Sequence, residues 1–251
     1  MRGGEQGVRP RHVLCVLGTG LELGLVDEVV AQAGCTVDRE YSQQAPDPRM
    51  TAAFRACLSN DTFTGADWAA VAGHDSVAYV LSPPMPRAAS LDTSRRMLAV
   101  TAALLRSGAT AVKSDSSGLT HGRDRWLELA EQAATAPDPG AVAGTLYHAW
   151  VKRPVAAGTV LYSCGMHLLA APDVEVKAGR RRADPVRGWV DLIDGLAIYL
   201  LTEPRAWEMH DGEAFRLGPD TPRWLLERRR CRRYGDDDFF FNPYGYWRLN
   251  P

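Results

Sequence analysis

Hydrophobic positions in the first half of the chain switch between a short period and a helical one. HVLCVLG (His12 to Gly18) is almost continuously apolar and predicts a buried strand. In LELGLVDEVVAQAG, Leu21, Leu25, Val29 and Val30 fall near helical spacing, and Gly34 closes the helix. CTVDREY predicts a second strand. DPRMTAAFRACL, with Asp47 as cap and Pro48 in the first turn, and TGADWAAVAGH predict two short helices. DSVAYVLSP is a third strand, stopped by Pro83 and Pro84. SLDTSRRMLAVTAALLRSGA, starting at Ser90 or Asp92, is the longest clear helix and carries Met97, Leu98, Leu104 and Leu105 inward until Ser107 and Gly108 end it. TAVKSDS then predicts a strand and GRDRWLELAEQAAT a helix.

The alternation stops at APDPGAVAG (Ala136 to Gly144), whose proline and glycine content predicts a joint. Beyond it, TLYHAWVKRPVAAGTVLYSCGM predicts two strands in a hairpin turning through Pro154 to Gly158. HLLAAPDVEVKAG gives a turn of helix and an extended DVEV. DPVRGWVDLIDGLAIYLLTE, from Asp184, is an apolar helix with Val190, Ile193, Leu196, Ala197 and Leu200 facing a core. The region after Pro204 is aromatic and predicts loops. The expected fold class is therefore α+β, with small mixed or antiparallel sheets covered by helices and two halves of related α/β plan. Residues 1–135 form the first half and 145–251 the second, with its aromatic tail, as separate units or one compact domain.

Composition narrows the function classes. The net charge of −1 gives the whole chain no electrostatic reason to seek nucleic acid or a membrane. The apolar run after Arg11 is about six residues, far short of a signal-peptide core or a membrane span, and the expectation is a cytoplasmic protein. Five cysteines (Cys15, Cys35, Cys57, Cys164, Cys231) are widely spaced and never form CxxC, which predicts free thiols and no structural zinc. The six histidines stand apart, so neither metal nor cofactor is expected. GTGLELG (Gly18 to Gly24) has the wrong spacing for a dinucleotide fingerprint.

Some residue clusters bear chemistry. Ser114, Asp115, Ser116, Ser117, Thr120 and His121 crowd together after a strand; Ser116 or Ser117 with His121 as base would make a hydrolase or transferase. DSSGL lacks the first glycine of a nucleophile elbow, however, and the same residues serve as turn and cap. Lys113 reads as a solvated edge charge. Cys164 and His167, three apart, are a second nucleophile and base, set against a buried structural thiol. Asp173 and Glu175 alternate along an extended chain and face one side, as acid and base work requires; the competing reading is an exposed strand face. Asp191 and Asp194 mark the wet side of their helix. In the tail, Arg228 to Arg233 could grip RNA phosphates, although Asp236 to Asp238 oppose that. Trp224, Arg229, Arg230, Tyr234, Asp237, Phe240, Tyr244 and Trp247 have the composition of a protein interface or of a finished core.

LLRSGATAVKSDSSG, followed by CGMHLLAAPDVEV and the helix WVDLIDGLAIYLL, resembles a bacterial family of unknown function over about Leu91 to Leu201. That family is similar in setting to immunity proteins of polymorphic toxin systems. The shared positions are Gly108, Ala109, Ser117, Gly118, Gly165, Met166, Pro172, Asp173 and Glu175; where the family has glycine after the leucine of HLLAAPD, this chain has alanine. The resemblance implies a non-catalytic α+β protein that binds a protein partner, a toxin or effector. The enzyme built on Ser117 and His121 or Cys164 and His167 is the rival, and the RNA binder the third reading.

Overall fold

The computed structural model describes residues 9–58, 62–177 and 186–251. Along the chain lie β1 (Val13–Gly18), α1 (Leu23–Ala31), β2 (Thr36–Gln43), α2 (Met50–Cys57), α3 (Gly65–Ala72), β3 (Ser76–Leu81), α4 (Ser90–Arg106), β4 (Ala109–Ser114), β5 (Leu119–Thr120) and α5 (Arg123–Thr135). They continue through α6 (Pro139–Trp150), β6 (Lys152–Ala157), β7 (Val160–Cys164), β8 (Asp173–Lys177), α7 (Val186–Thr202), β9 (Ala214–Phe215), β10 (Trp224–Arg229) and β11 (Tyr246–Asn250). The fold is α+β. The predicted start of α7 at Asp184 lies outside the described residues.

The first sheet has the order β2-β3-β1-β4-β5, with every pairing antiparallel. β3 inserts between β1 and β2 and runs antiparallel to both. β1 is buried along its whole length because both sheet faces are covered. Leu14 and Val16 join the larger hydrophobic cluster; Cys15 and Leu17 meet Met50, Phe54 and Val71 of α2 and α3. Two local predictions shift. Asp47 does not cap α2, which begins at Met50; its carboxylate accepts from the Arg49 amide and guanidinium in the preceding turn. In α1 the buried side chains are Val26 and Val30, and Leu25 is exposed.

The expected joint is largely helix. Asp138 accepts from the Ala141 amide at 2.9 Å and Pro139 takes the first turn, so a dipeptide that reads as a linker starts α6 instead. TLYHAW completes that helix and is not a strand. Trp150 at its end donates to the Ser94 carbonyl at 3.1 Å, and α6 packs between α5 and α7. The larger hydrophobic cluster takes in residues of both expected halves, from Leu14 to Leu249. The hairpin of β6 and β7 turns at Gly158, and Pro154 lies within edge strand β6, where a missing N–H is tolerated.

The tail is not a run of loops. It supplies β9, β10 and β11 to a second sheet ordered β6-β7-β8-β11-β10-β9, in which β8 and β11 run parallel. Val174, Val176, Trp247 and Leu249 join the same hydrophobic cluster as Trp189, Leu192, Ile193, Leu196 and Leu200 of α7. On this helix Asp194 is not simply wet. It accepts from the Tyr147 hydroxyl at 2.6 Å and from Arg153 at 2.7 Å, tying α7 to α6 and β6.

The turn before β8 holds a strained residue. Ala170 has φ 60°, the left-handed conformation, which costs about 1–2 kcal/mol for a residue with a Cβ. Ala170→Gly is expected to stabilise the protein by about 0.5–1 kcal/mol after the added unfolded-state entropy is subtracted, and Ala170→Val to destabilise it. Urea midpoints check both; a lower midpoint for the glycine variant would refute the strain.

Candidate functional site

The structure does not assemble the first nucleophile and base. The Ser117 hydroxyl donates to Ser114 at 3.0 Å, while His121 places Nε2 3.3 Å from the Ala149 carbonyl and its ring against Trp126. Ser116 is a turn residue: its hydroxyl donates to the Arg11 carbonyl at 2.7 Å and accepts from the Val13 amide at 2.8 Å. Thr120 is not a helix cap, because it sits in β5 and donates to the Val112 carbonyl at 2.7 Å; Gly122 caps α5. Lys113 is not an edge charge. It is buried and ion-paired with Asp115.

Cys164 and His167 are both buried, and no hydrogen bond joins them. Burial pushes the Cys164 thiol well above its ordinary value, the reverse of what a nucleophile needs, and pulls the His167 imidazole down to about 4. Neither His167 ring nitrogen makes a hydrogen bond of acceptable geometry, although backbone of Ser116 and Phe239 lies close. All five thiols are free, Cys231 alone being half-buried.

Asp173 and Glu175 are brought together, under the C-terminal segment and not on an open strand face. The pairing register sets Glu175 opposite both Tyr162 and Arg248, and Asp173 opposite Tyr246. Glu175 is 1% exposed and accepts from Arg248 Nε at 2.5 Å and from the Arg233 guanidinium. Arg233 also stacks 3.7 Å above the Tyr162 ring, and Tyr162 and Tyr234 share a hydroxyl hydrogen bond of 2.8 Å. Asp173 accepts from Asn242 Nδ2 at 2.7 Å, from the Met166 amide at 3.2 Å and from Ser163 Oγ at 3.2 Å. Burial outweighs these donors and raises its carboxyl to about 7. A titrating carboxyl can mark a catalytic site. Here, however, the space among Tyr162, Ser163, Asp173, Glu175, Cys231 and Phe240 holds about one water molecule. The two carboxylates act as an internal latch for residues 231–246.

The proposed partner-binding residues divide in consequence. Trp247 is 1% exposed and belongs to the core, since it alternates with the outward Tyr246 and Arg248 on β11; it cannot meet a partner directly. Trp224 is half-buried against Trp189, with ring centres 5.9 Å apart. Arg229 pairs with Glu227, and Arg228 donates to the Tyr244 carbonyl at 2.7 Å beside the Trp247 ring. Tyr244 also lies beneath the Arg87 guanidinium at 5.5 Å. Tyr234 and Phe240 pack on each other at 5.3 Å, and Phe240 lies over Gly118, whose left-handed φ of 61° favours glycine and where a Cβ would press on the ring at 3.2 Å. Arg230, Arg232, Asp236, Asp237 and Phe239 remain exposed.

Tyr162, Ser163, Asn242 and Arg248 were not legible as site residues. The one signal lay in YWRLN, whose alternation marks a strand with Tyr246 and Arg248 on a single face. Among the described residues no cluster of three or more metal-ligating side chains occurs, and no helix is long and apolar enough to cross a membrane. No protein-family model, curated protein or solved structure matches this chain.

Proposed function

We propose that the protein is a non-catalytic binding module of the immunity type, recognising a toxin or effector protein through the segment from Arg230 to Phe239. One observation supports this above others. The segment is latched at Arg233 to Glu175, at Tyr234 to Tyr162 and, just beyond it, at Asn242 to Asp173, yet it keeps both charges and Phe239 outward. A loop held in shape before binding loses little conformational entropy on association. Arginine and aromatic side chains are the groups that concentrate binding energy. The RNA reading draws less support, because Arg228, Arg229 and Arg233 are engaged within the chain and Asp236 to Asp238 flank the rest.

Affinity capture of the tagged protein from its native cells is expected to recover one protein at near-stoichiometric ratio. Arg230→Glu with Phe239→Ala should lower that recovery at least about tenfold without changing the thermal midpoint. Expressed alone, the captured protein should arrest growth, and co-expression of the wild type but not the double variant should relieve the arrest. A partnerless monomer, or unchanged capture by the double variant, refutes the proposal.

A further inference from the structure

Beneath the same segment lies a cavity that the latch does not use. Residues 9–11 and 237–239 line it together with Phe241 and His167. It has an open volume of about 110 Å³ and a mouth to solvent, of the same order as the roughly 150 Å³ that accommodates a single benzene ring in a protein interior. Its charges cancel, two arginines against two aspartates. Arg11 is also engaged, donating from Nε and Nη2 to the Ser82 carbonyl at 3.1 and 2.8 Å, and Asp238 accepts from the Phe240 amide at 2.8 Å. An ion of either sign therefore gains little there. Two phenylalanines offer ring edges and faces to a flat apolar group.

His167 specifies the rest. The imidazole is 1% exposed, and neither ring nitrogen completes a hydrogen bond, the nearby backbone of Ser116 and Phe239 being out of bonding geometry. Leaving such a group unsatisfied is costly, and a neutral imidazole has one donor and one acceptor to offer. Phe239, 57% exposed, is the wall free to rotate and admit a ligand to the ring.

We infer that this cavity binds a phenolic ring, seated between Phe239 and Phe241 with its hydroxyl on the His167 imidazole. A hydroxyl can donate to one ring nitrogen or accept from the other, which a hydrocarbon ring cannot. The group is either a free small phenol or a tyrosine side chain of a binding partner; the chemistry is the same.

The test titrates p-cresol and, separately, toluene into the full-length protein while the His167 imidazole signals are followed by NMR. p-Cresol should give saturable shifts at His167 and bind at least about fivefold more tightly than toluene, the worth of one hydrogen bond. His167→Phe should bring the two ligands to equal affinity, and His167→Gln, which keeps a donor and an acceptor, should retain a preference for p-cresol. N-acetyl-tyrosinamide separates the sources: saturable binding assigns the site to a tyrosine side chain, whereas binding of p-cresol alone assigns it to a free phenol. No saturable shift at His167 with p-cresol, or equal affinity for toluene in the wild type, overturns the inference. The assay needs no protein partner, so its failure is distinct from failure of the capture experiment.

Discussion

Glu175→Ala is expected to destabilise the protein by about 3–5 kcal/mol, because it removes the carboxylate shared by Arg233 and Arg248 and leaves both guanidinium groups facing a covered sheet without a counter-charge. The side chains of Arg233 and Arg248 are 26% and 25% exposed, so water offers each partial relief and the lower end of the range applies. Even so, this is a large part of the 5–15 kcal/mol that separates folded from unfolded domains. The loss should be local first. Residues 231–246 are held over β8 by this pair together with the contacts of Tyr162 and Asn242, so limited proteolysis should cut the variant in that segment before the core opens. Glu175→Gln, which keeps one acceptor, should lose less. Urea midpoints and cleavage sites check the result; a change under about 1 kcal/mol would mean that the pair behaves as a solvent-screened surface bridge.

The same pair shows what the sequence could and could not disclose. Local patterns placed β1, α4, α5, β7 and β8, because burial there follows from a single face or a continuous apolar run. The alternation of Asp173 and Glu175 correctly placed them on one side of a strand. It could not say that Arg233 and Arg248, 58 and 73 residues from Glu175, would close over them. Long-range pairing of that kind leaves no local period. The errors elsewhere have a similar origin. Asp138 and Pro139 are linker letters and helix-start letters alike, and only the packing of α6 between α5 and α7 decides between the two. Lys113 looked like an edge charge until Asp115 and the cover of α2 and α3 were in place. Ser117 and His121 were close in sequence but take different partners, because Gly118 turns the chain and Phe240 lies across that turn.

Acid is expected to unfold the protein well above the ordinary carboxylate range. Burial holds His12 down to about 3 and His121 and His167 down to about 4, so all three are neutral in the fold. In the unfolded chain each takes up a proton near pH 6.5. The stability they contribute is fully present above pH 6.5 and is lost as the pH falls toward 4, at about 1.4 kcal/mol per pH unit for each histidine. Asp173 works in the opposite sense. Its carboxyl, raised to about 7 by burial, is protonated in the fold while the unfolded chain keeps it ionised down to its ordinary 3.8, so folding gains as the pH drops through that window. Three protons against one leave a net loss of about 2.7 kcal/mol per pH unit between roughly pH 6 and 4. His148, lowered chiefly by burial and then by Arg153, adds to the same slope. Unfolding free energies from urea titrations between pH 7.5 and 4.5 measure it. His121→Gln should reduce the slope by about 1.4 kcal/mol per pH unit, one proton's share, even if it lowers stability at neutral pH. A wild-type profile that is flat or rises across this window would mean that these imidazoles are open to water in the folded state.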